Sequence, residues 1–160
     1  MIRSATPADA PAVVALAVAS ELFPPEEAGA VETLLAEFFA GRAEQGHTCL
    51  VDDANPTDGH RGLRAVAYYQ PLAATDRAWE LLMIGVHRDR HRQGVGARLL
   101  GHVEDDLRAR GQRLLLVQTS ADPAFDRARA FYAALGHDEE ARVRDYFGDG
   151  DDMVLFRRAL

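Results

Sequence analysis

No lysine occurs in this chain of 160 residues: all eighteen cationic side chains are arginine, against twenty-five acids. The formal charge of −7 excludes a nucleic-acid binder that works through bulk positive charge. Cys49 stands alone, so no internal disulfide and no thiolate zinc cluster can form, which suits the cytoplasm. Long apolar runs are also missing, and nothing approaches the ~20 residues a membrane-spanning helix needs. The nearest candidate, Pro11–Ala19, has the length of a signal-peptide core, and Ala17-Val18-Ala19 mimics a cleavage site. Only Arg3 precedes it and Asp9 opposes it. The same stretch reads better as a buried helix with Thr6 as N-cap, Pro7 at the first position and Asp9 favouring the positive end.

What is present is ordinary for a soluble globular domain: 48% hydrophobic and 27% charged residues, in a length that fits one domain. The patterning predicts a first strand at residues 2–5 and a helix from about Pro7 to Ser20. A second helix spans Glu26–Ala40, with Val31, Leu34, Leu35 and Phe38 as its apolar stripe. Strands are expected at His47–Asp53, Leu63–Gln70 and Ala78–Val86, with Ala54–Gly62 as a hairpin loop. A third helix runs from Val95 to about Arg110, burying Leu99, Leu100, Val103 and Leu107, with Gly111 as a left-handed cap. Leu114–Gln118, continuously apolar, reads as a strand buried on both faces. A helix over Pro123–Leu135 precedes strands at His137–Asp145 and Met153–Arg158, joined around Gly148–Asp152. The order β-α-α-β-β-β-α-β-α-β-β describes one mixed sheet covered by helices.

Charge is unevenly placed. Residues 1–60 hold ten acids against Arg3 and Arg42, whereas His87–Arg98 holds Arg88, Arg90, Arg92 and Arg98 against Asp89. These arginines surround a glycine turn, Arg90-His91-Arg92-Gln93-Gly94-Val95-Gly96-Ala97, that follows a strand and opens a helix. Gly94 and Gly96 allow close backbone approach, the helix start offers unpaired N–H groups, and arginine adds charge for further phosphates. A diphosphate is the guest such a turn suits. A triphosphatase P-loop would need Lys-Ser/Thr where Ala97-Arg98 stands, and a dinucleotide fingerprint needs a third glycine where Leu99 stands. Both fail.

His91-Arg92-Gln93-Gly94-Val95-Gly96 resembles the Gln/Arg-x-x-Gly-x-Gly/Ala signature of the GNAT N-acetyltransferase superfamily, with His91 at the first position. Ala128-Arg129-Ala130-Phe131-Tyr132, followed by Leu135-Gly136-His137, is similar to the family's second signature, with His137 in place of Phe. The resemblance spans essentially the whole chain. It implies a single domain over residues 1–160 of class α/β (α+β), with a mixed, mostly antiparallel sheet of six to seven strands and about four helices. It also implies acetyl-CoA as cosubstrate, no metal, and acetyl transfer to a primary amine of a small molecule or peptide. Cofactor contacts would come from Ile84, Val86, His91, Arg92, Gln93, Gly94, Val95, Gly96 and Ala97. Ile84 and Val86 would pair with the pantetheine through their main chains.

An alkylammonium has a pKa near ~10.4, so a base must take its proton. Glu80, six residues before Val86, occupies the position of the base in the family's histone-acetylating members, and a solvated strand carboxylate is the plain alternative. It shares strand parity with Leu82, Ile84 and Val86 unless a bulge, for which Gly85 would suit, intervenes. Tyr132 is the candidate proton donor to the departing thiolate; a core aromatic is its plain alternative. Other readings stay open at this level: a CoA-binding module without turnover, another acyl group, or a hydroxyl acceptor. A homodimer stays open too.

Several residues invite over-reading. Cys49 is expected to be a small buried apolar residue, and the scattered histidines form no helical zinc spacing. Asp145–Asp152 departs from a calcium loop at Phe147 and lacks the terminal Glu, which favours a hairpin turn. Trp79, Tyr68 and Tyr69 could line an acceptor pocket or fill the sheet faces. The first two helices carry Glu21, Glu26, Glu27, Glu32 and Glu37, a charge that would favour a cationic acceptor.

Overall fold

The computed structural model describes residues 1–20, 25–54 and 62–160. Its seven strands are β1 (Ile2–Ser4), β2 (Thr48–Asp53), β3 (Leu63–Pro71), β4 (Ala78–Val86), β5 (Leu114–Ser120), β6 (Asp138–Gly148) and β7 (Asp151–Ala159). They form a mixed sheet in the order β1-β2-β3-β4-β5-β7-β6. The α-helices among the described residues are α1 (Ala10–Ala19), α2 (Ala28–Glu37), α3 (Val95–Ala109) and α4 (Asp126–Ala134). The strand and helix order is the one the patterning predicts. Glu21 and most of the expected Ala54–Gly62 loop lie outside the described residues.

The chain forms two compact units, one of residues Met1–Gln70 with Met83–Val103, the other of Pro71–Leu82 with Glu104–Leu160. In the first, β1, β2 and β3 pair antiparallel. Val13, Leu16 and Ala17 of α1 pack with Val31 and Leu35 of α2 against Cys49, Val51, Val66 and Tyr68. The Pro11–Ala19 run is thus a core helix. Arg3 clamps Asp9 at 2.8 and 2.9 Å and Asp53 at 2.7 and 2.9 Å. Paired with Arg3, the Asp9 carboxyl is held well below the usual carboxylate range, and it accepts the Thr6 N–H at 2.7 Å. Burial pushes the Cys49 thiol up to about 12, so it stays a neutral core group.

In the second unit β4 and β5 pair in parallel from Ala78↔Leu114 to Glu80↔Leu116, and β7 pairs antiparallel with β5 and β6. Two sequence expectations need correction here. Leu114–Gln118 is not buried on both faces: Leu115 and Val117 are buried, Leu114 and Leu116 are half-buried and Gln118 is exposed. A continuous apolar run says nothing about which face is covered, and here one face is. The turn between the last strands is the pair Asp149-Gly150, within Gly148↔Asp151, with Gly150 at φ 79°. Only Gly150 of this pair is left-handed, a conformation glycine takes without steric cost. Gly150 N–H donates to Asp145 at 2.8 Å, so that carboxylate organises a turn.

Helix α3 buries Leu99, Leu100, Val103 and Leu107 completely. It ends as expected at Gly111, φ 68°, with Gln112 N–H bonded to Leu107 O at 2.9 Å.

Candidate active site

The glycine turn lies in the first unit. It begins at the end of β4, where His87 N–H donates to Arg64 O at 2.9 Å. A single 3₁₀ turn follows over Arg88–Arg90, and Arg92 then adopts φ 60° and Gly94 φ 73°. For Arg92 this is a rare conformation for a side-chain-bearing residue, of the kind concentrated at ligand sites. Left-handed residues beside right-handed ones turn successive N–H groups toward one point, forming an anion-binding nest. The first helical bond of α3 runs from Arg98 N–H to Gly94 O at 3.0 Å. The N–H groups of Val95, Gly96 and Ala97 precede it and have no acceptor within the helix. They carry the positive end of the helix dipole. A Cβ built on Gly94 would meet no protein atom within 4 Å, so the space above the turn is open.

The side chains brace this turn. His91 Nε2 donates to Val86 O at 2.8 Å, which fixes the proton on that nitrogen because a carbonyl can only accept. Gln93 reaches Asp89 O at 2.9 Å. Of the four arginines, Arg88, Arg92 and Arg98 are exposed, and Arg98 is bound to the buried carboxylate of Asp52 at 2.5 Å. That salt bridge connects residues 46 positions apart, a pairing that sequence spacing cannot show.

Burial along β4 alternates from Trp79 to Val86, with residues 79, 81, 83 and 85 covered. Gly85 marks no change of facing. In the second unit's part of β4 Glu80 is half-buried and Leu82 exposed, and in the first unit's part Ile84 and Val86 are half-buried. Tyr132 lies in the second unit on α4, 6% exposed, its ring packed against Phe131, His137 and Phe156 at 5.3 to 5.7 Å between centroids. Burial pushes its phenol well above the ordinary tyrosine range, so it carries its proton at neutral pH. Trp79 donates to Gln112 at 2.8 Å and takes Arg110 over its ring at 4.3 Å. With Tyr68 and Tyr69 fully buried, these three aromatics fill the interior.

Sequence reading missed a cluster on the second unit. Glu104 of α3, 5% exposed, binds Arg108 at 2.9 Å and Arg158 at 3.3 Å. His137 Nε2 lies 3.2 Å from the same carboxylate, yet neither ring nitrogen makes an aligned hydrogen bond. The signal was there in part, since His137 stands where the signature has Phe. Among the described residues no group of His, Cys, Asp and Glu could hold a metal ion, and no helix is long and apolar enough to cross a membrane.

A strand-turn-helix nest following β4, in a mixed sheet of this order, frames the candidate site. The sequence profile of the acetyltransferase (GNAT) family matches residues 16–137, and the chain belongs to that family. It is an acetyltransferase. Among solved structures, a GNAT-family protein of Desulfovibrio desulfuricans is similar over 99% of this chain and 98% of its own, at 29% identity and TM-score 0.90. The ribosomal-protein-S18-alanine N-acetyltransferase of Escherichia coli matches at 25% identity and TM-score 0.75, covering 99% and 92% of the two chains. An acetyltransferase of Salmonella typhimurium, solved with acetyl-CoA, shares the fold at 20% identity and TM-score 0.77, covering 100% and 93%. No curated protein matches the sequence.

Proposed function

We propose that the enzyme transfers the acetyl group of acetyl-CoA directly to a primary amine of a small molecule or peptide. The observation that carries the cosubstrate is the turn: left-handed Arg92 and Gly94, three helix-start N–H groups and open space above Gly94 suit a pyrophosphate. His91 keeps the turn pinned to the end of β4 rather than serving as a phosphate ligand. Ile84 and Val86 offer main-chain groups to the pantetheine.

The amine nitrogen attacks the thioester carbon and the C–S bond breaks; on the way from ammonium to amide the nitrogen loses two protons, and the sulfur gains one. Glu80, half-buried on β4, takes the first from the ammonium, directly or through water. Tyr132 gives one to the thiolate and is reprotonated, directly or through water, by the second proton that the nitrogen releases as the tetrahedral intermediate collapses to the amide. Its buried phenol keeps that proton at neutral pH, ready for the leaving group. Alignment of two bound reactants supplies much of the acceleration. That the two units work as one catalytic domain, and that the enzyme acts in the cytoplasm, belong to this proposal; the lone buried thiol of Cys49 supports the second.

Calorimetry with CoA tests the cosubstrate. The parent should bind CoA, and Gly96→Val, a helical position where Val causes no backbone strain, should lose most of the affinity by blocking close approach. Equal binding by both proteins, or by neither, would remove the assignment. A panel of amines, amino acids and peptides then fixes the acceptor. Glu26, Glu27, Glu32 and Glu37 are exposed, and their field favours an amine without a nearby carboxylate.

A further inference from the structure

Asp52 is the most deeply buried acid among the described residues, its side chain 1% exposed, on a strand that also carries Leu50 and Val51. Such a carboxylate is retained only if several donors replace its water. Three do so. Arg98 Nη2 lies at 2.5 Å, Arg64 Nη2 at 2.9 Å and the Met1 ammonium at 3.1 Å. Burial alone would raise this carboxyl, but these hydrogen bonds outweigh it and hold it below the ordinary aspartate value. The backbone is shaped for the purpose. The β2–β3 register runs Asp52↔Ala65 and then Asp53↔Leu63, leaving Arg64 as the extra residue of a bulge. Bulges re-aim side chains, and this one brings Arg64 onto Asp52.

Both arginines belong to the margins of the glycine turn. Arg64 accepts the His87 N–H at 2.9 Å through its carbonyl, at the point where the turn leaves β4. Arg98 sits in the first turn of α3, at its end. We propose that Asp52 is a positioning residue for the pyrophosphate loop: by holding Arg64 and Arg98 it fixes both flanks of residues 87–98, and so aims the main-chain N–H groups at the phosphate. Arg98 thereby acts as a brace rather than as a phosphate ligand. This rests on the acetyl-CoA reading of the turn.

The test pairs Asp52→Asn with Arg98→Gln. Misplacing a binding loop by a fraction of an ångström weakens its aligned contacts together, and we expect KM for acetyl-CoA and the Kd for CoA to rise on the order of tenfold. The kcat at saturation should stay within about threefold, because no reacting atom is touched. The double variant should be no worse than the worse single one, since both break one link. Arg98→Lys, which keeps a charge on Asp52, should recover part of the affinity. If Arg98 were a phosphate ligand, Arg98→Gln alone would lose affinity while Asp52→Asn kept or gained it, and the proposal would fall. It falls also if a folded Asp52→Asn binds CoA like the parent. Should Asp52→Asn not fold, Arg98→Gln decides: Arg98 is half-exposed and its loss leaves Arg64 on the carboxylate, so unchanged affinity there overturns the proposal. Absence of CoA binding by the parent instead defeats the cosubstrate reading, and this proposal with it.

Discussion

Among the described residues each compact unit contains one buried carboxylate gripped by two arginines, and the two clusters differ in where those arginines come from. Asp52 takes its arginines through direct hydrogen bonds, from a strand bulge on one side and a helix on the other. Glu104 also holds two, but one, Arg108, comes from its own helix a turn away, and beside it His137 keeps two buried nitrogens without hydrogen bonds. The first arrangement ties elements together around the turn. The second includes a buried imidazole, that of His137, beside its carboxylate but without an aligned hydrogen bond. Similar composition therefore predicts unlike responses to mutation.

The largest effect is expected where the second unit meets chemistry. Tyr132→Phe removes one oxygen from a ring whose packing against Phe131, His137 and Phe156 stays intact. We expect turnover to fall on the order of 10–10³-fold, near the range for general acid–base help, with CoA affinity unchanged. Pre-steady-state kinetics checks this: unaltered turnover with chemistry rate-limiting would make Tyr132 a packing residue only.

Next comes stability, which separates the clusters directly. Asp52→Ala takes the carboxylate from Arg64, which is only 16% exposed, while half-exposed Arg98 can turn to water, and should lower the unfolding free energy by about 3 kcal/mol, the lower end for a broken buried pair. Glu104→Ala frees Arg108 and Arg158, which are 39% and 32% exposed and can turn to water. Its loss should be roughly half as large. Urea titrations of both variants test the contrast, and equal losses would show that the clusters are energetically alike.

Much of this architecture could be read from residue patterns. The Leu99, Leu100, Val103 and Leu107 stripe, the Gly111 cap and the limits of β4 follow from local rules that act over a few residues. The turn at Gly94 was legible for the same reason, since its geometry is written in consecutive positions. Asp52 was not. Its partners lie 12 and 46 residues away, and one reaches it only through a bulge that no composition announces. Four arginines around the glycine turn suggested charge for phosphates, yet a carboxylate on β2 holds Arg98. Trp79 could be placed only once Gln112 and Arg110 were found around it.

The smallest effect concerns His137, and it sharpens the comparison most. Burial holds its pKa below the ordinary 6.5; Glu104 works against this and Arg158 adds to it. His47, hydrogen-bonded to Tyr68, is lowered chiefly by burial as well. A histidine neutral in the fold but free to protonate when unfolded contributes stability that is fully present above the unfolded pKa. That stability is lost as the pH falls below 6.5 toward the folded value. The depressed carboxyls Asp9, Asp52 and Asp152 lose theirs only below their ordinary value of 3.8, so the interval from about pH 6.5 to 5 reports the histidines. His137→Phe removes one of the two contributions and two buried nitrogens without hydrogen bonds, while Arg108 and Arg158 still satisfy Glu104. At pH 7.5 the variant should match or exceed the parent by on the order of 1 kcal/mol, since a buried unsatisfied polar group is costly. Between pH 7.5 and 5.5 it should lose less stability than the parent, with His47 accounting for what remains. An identical loss in both proteins would mean that His137 does not titrate differently on folding, and a less stable variant at pH 7.5 would mean that its contact with Glu104 is a favourable one.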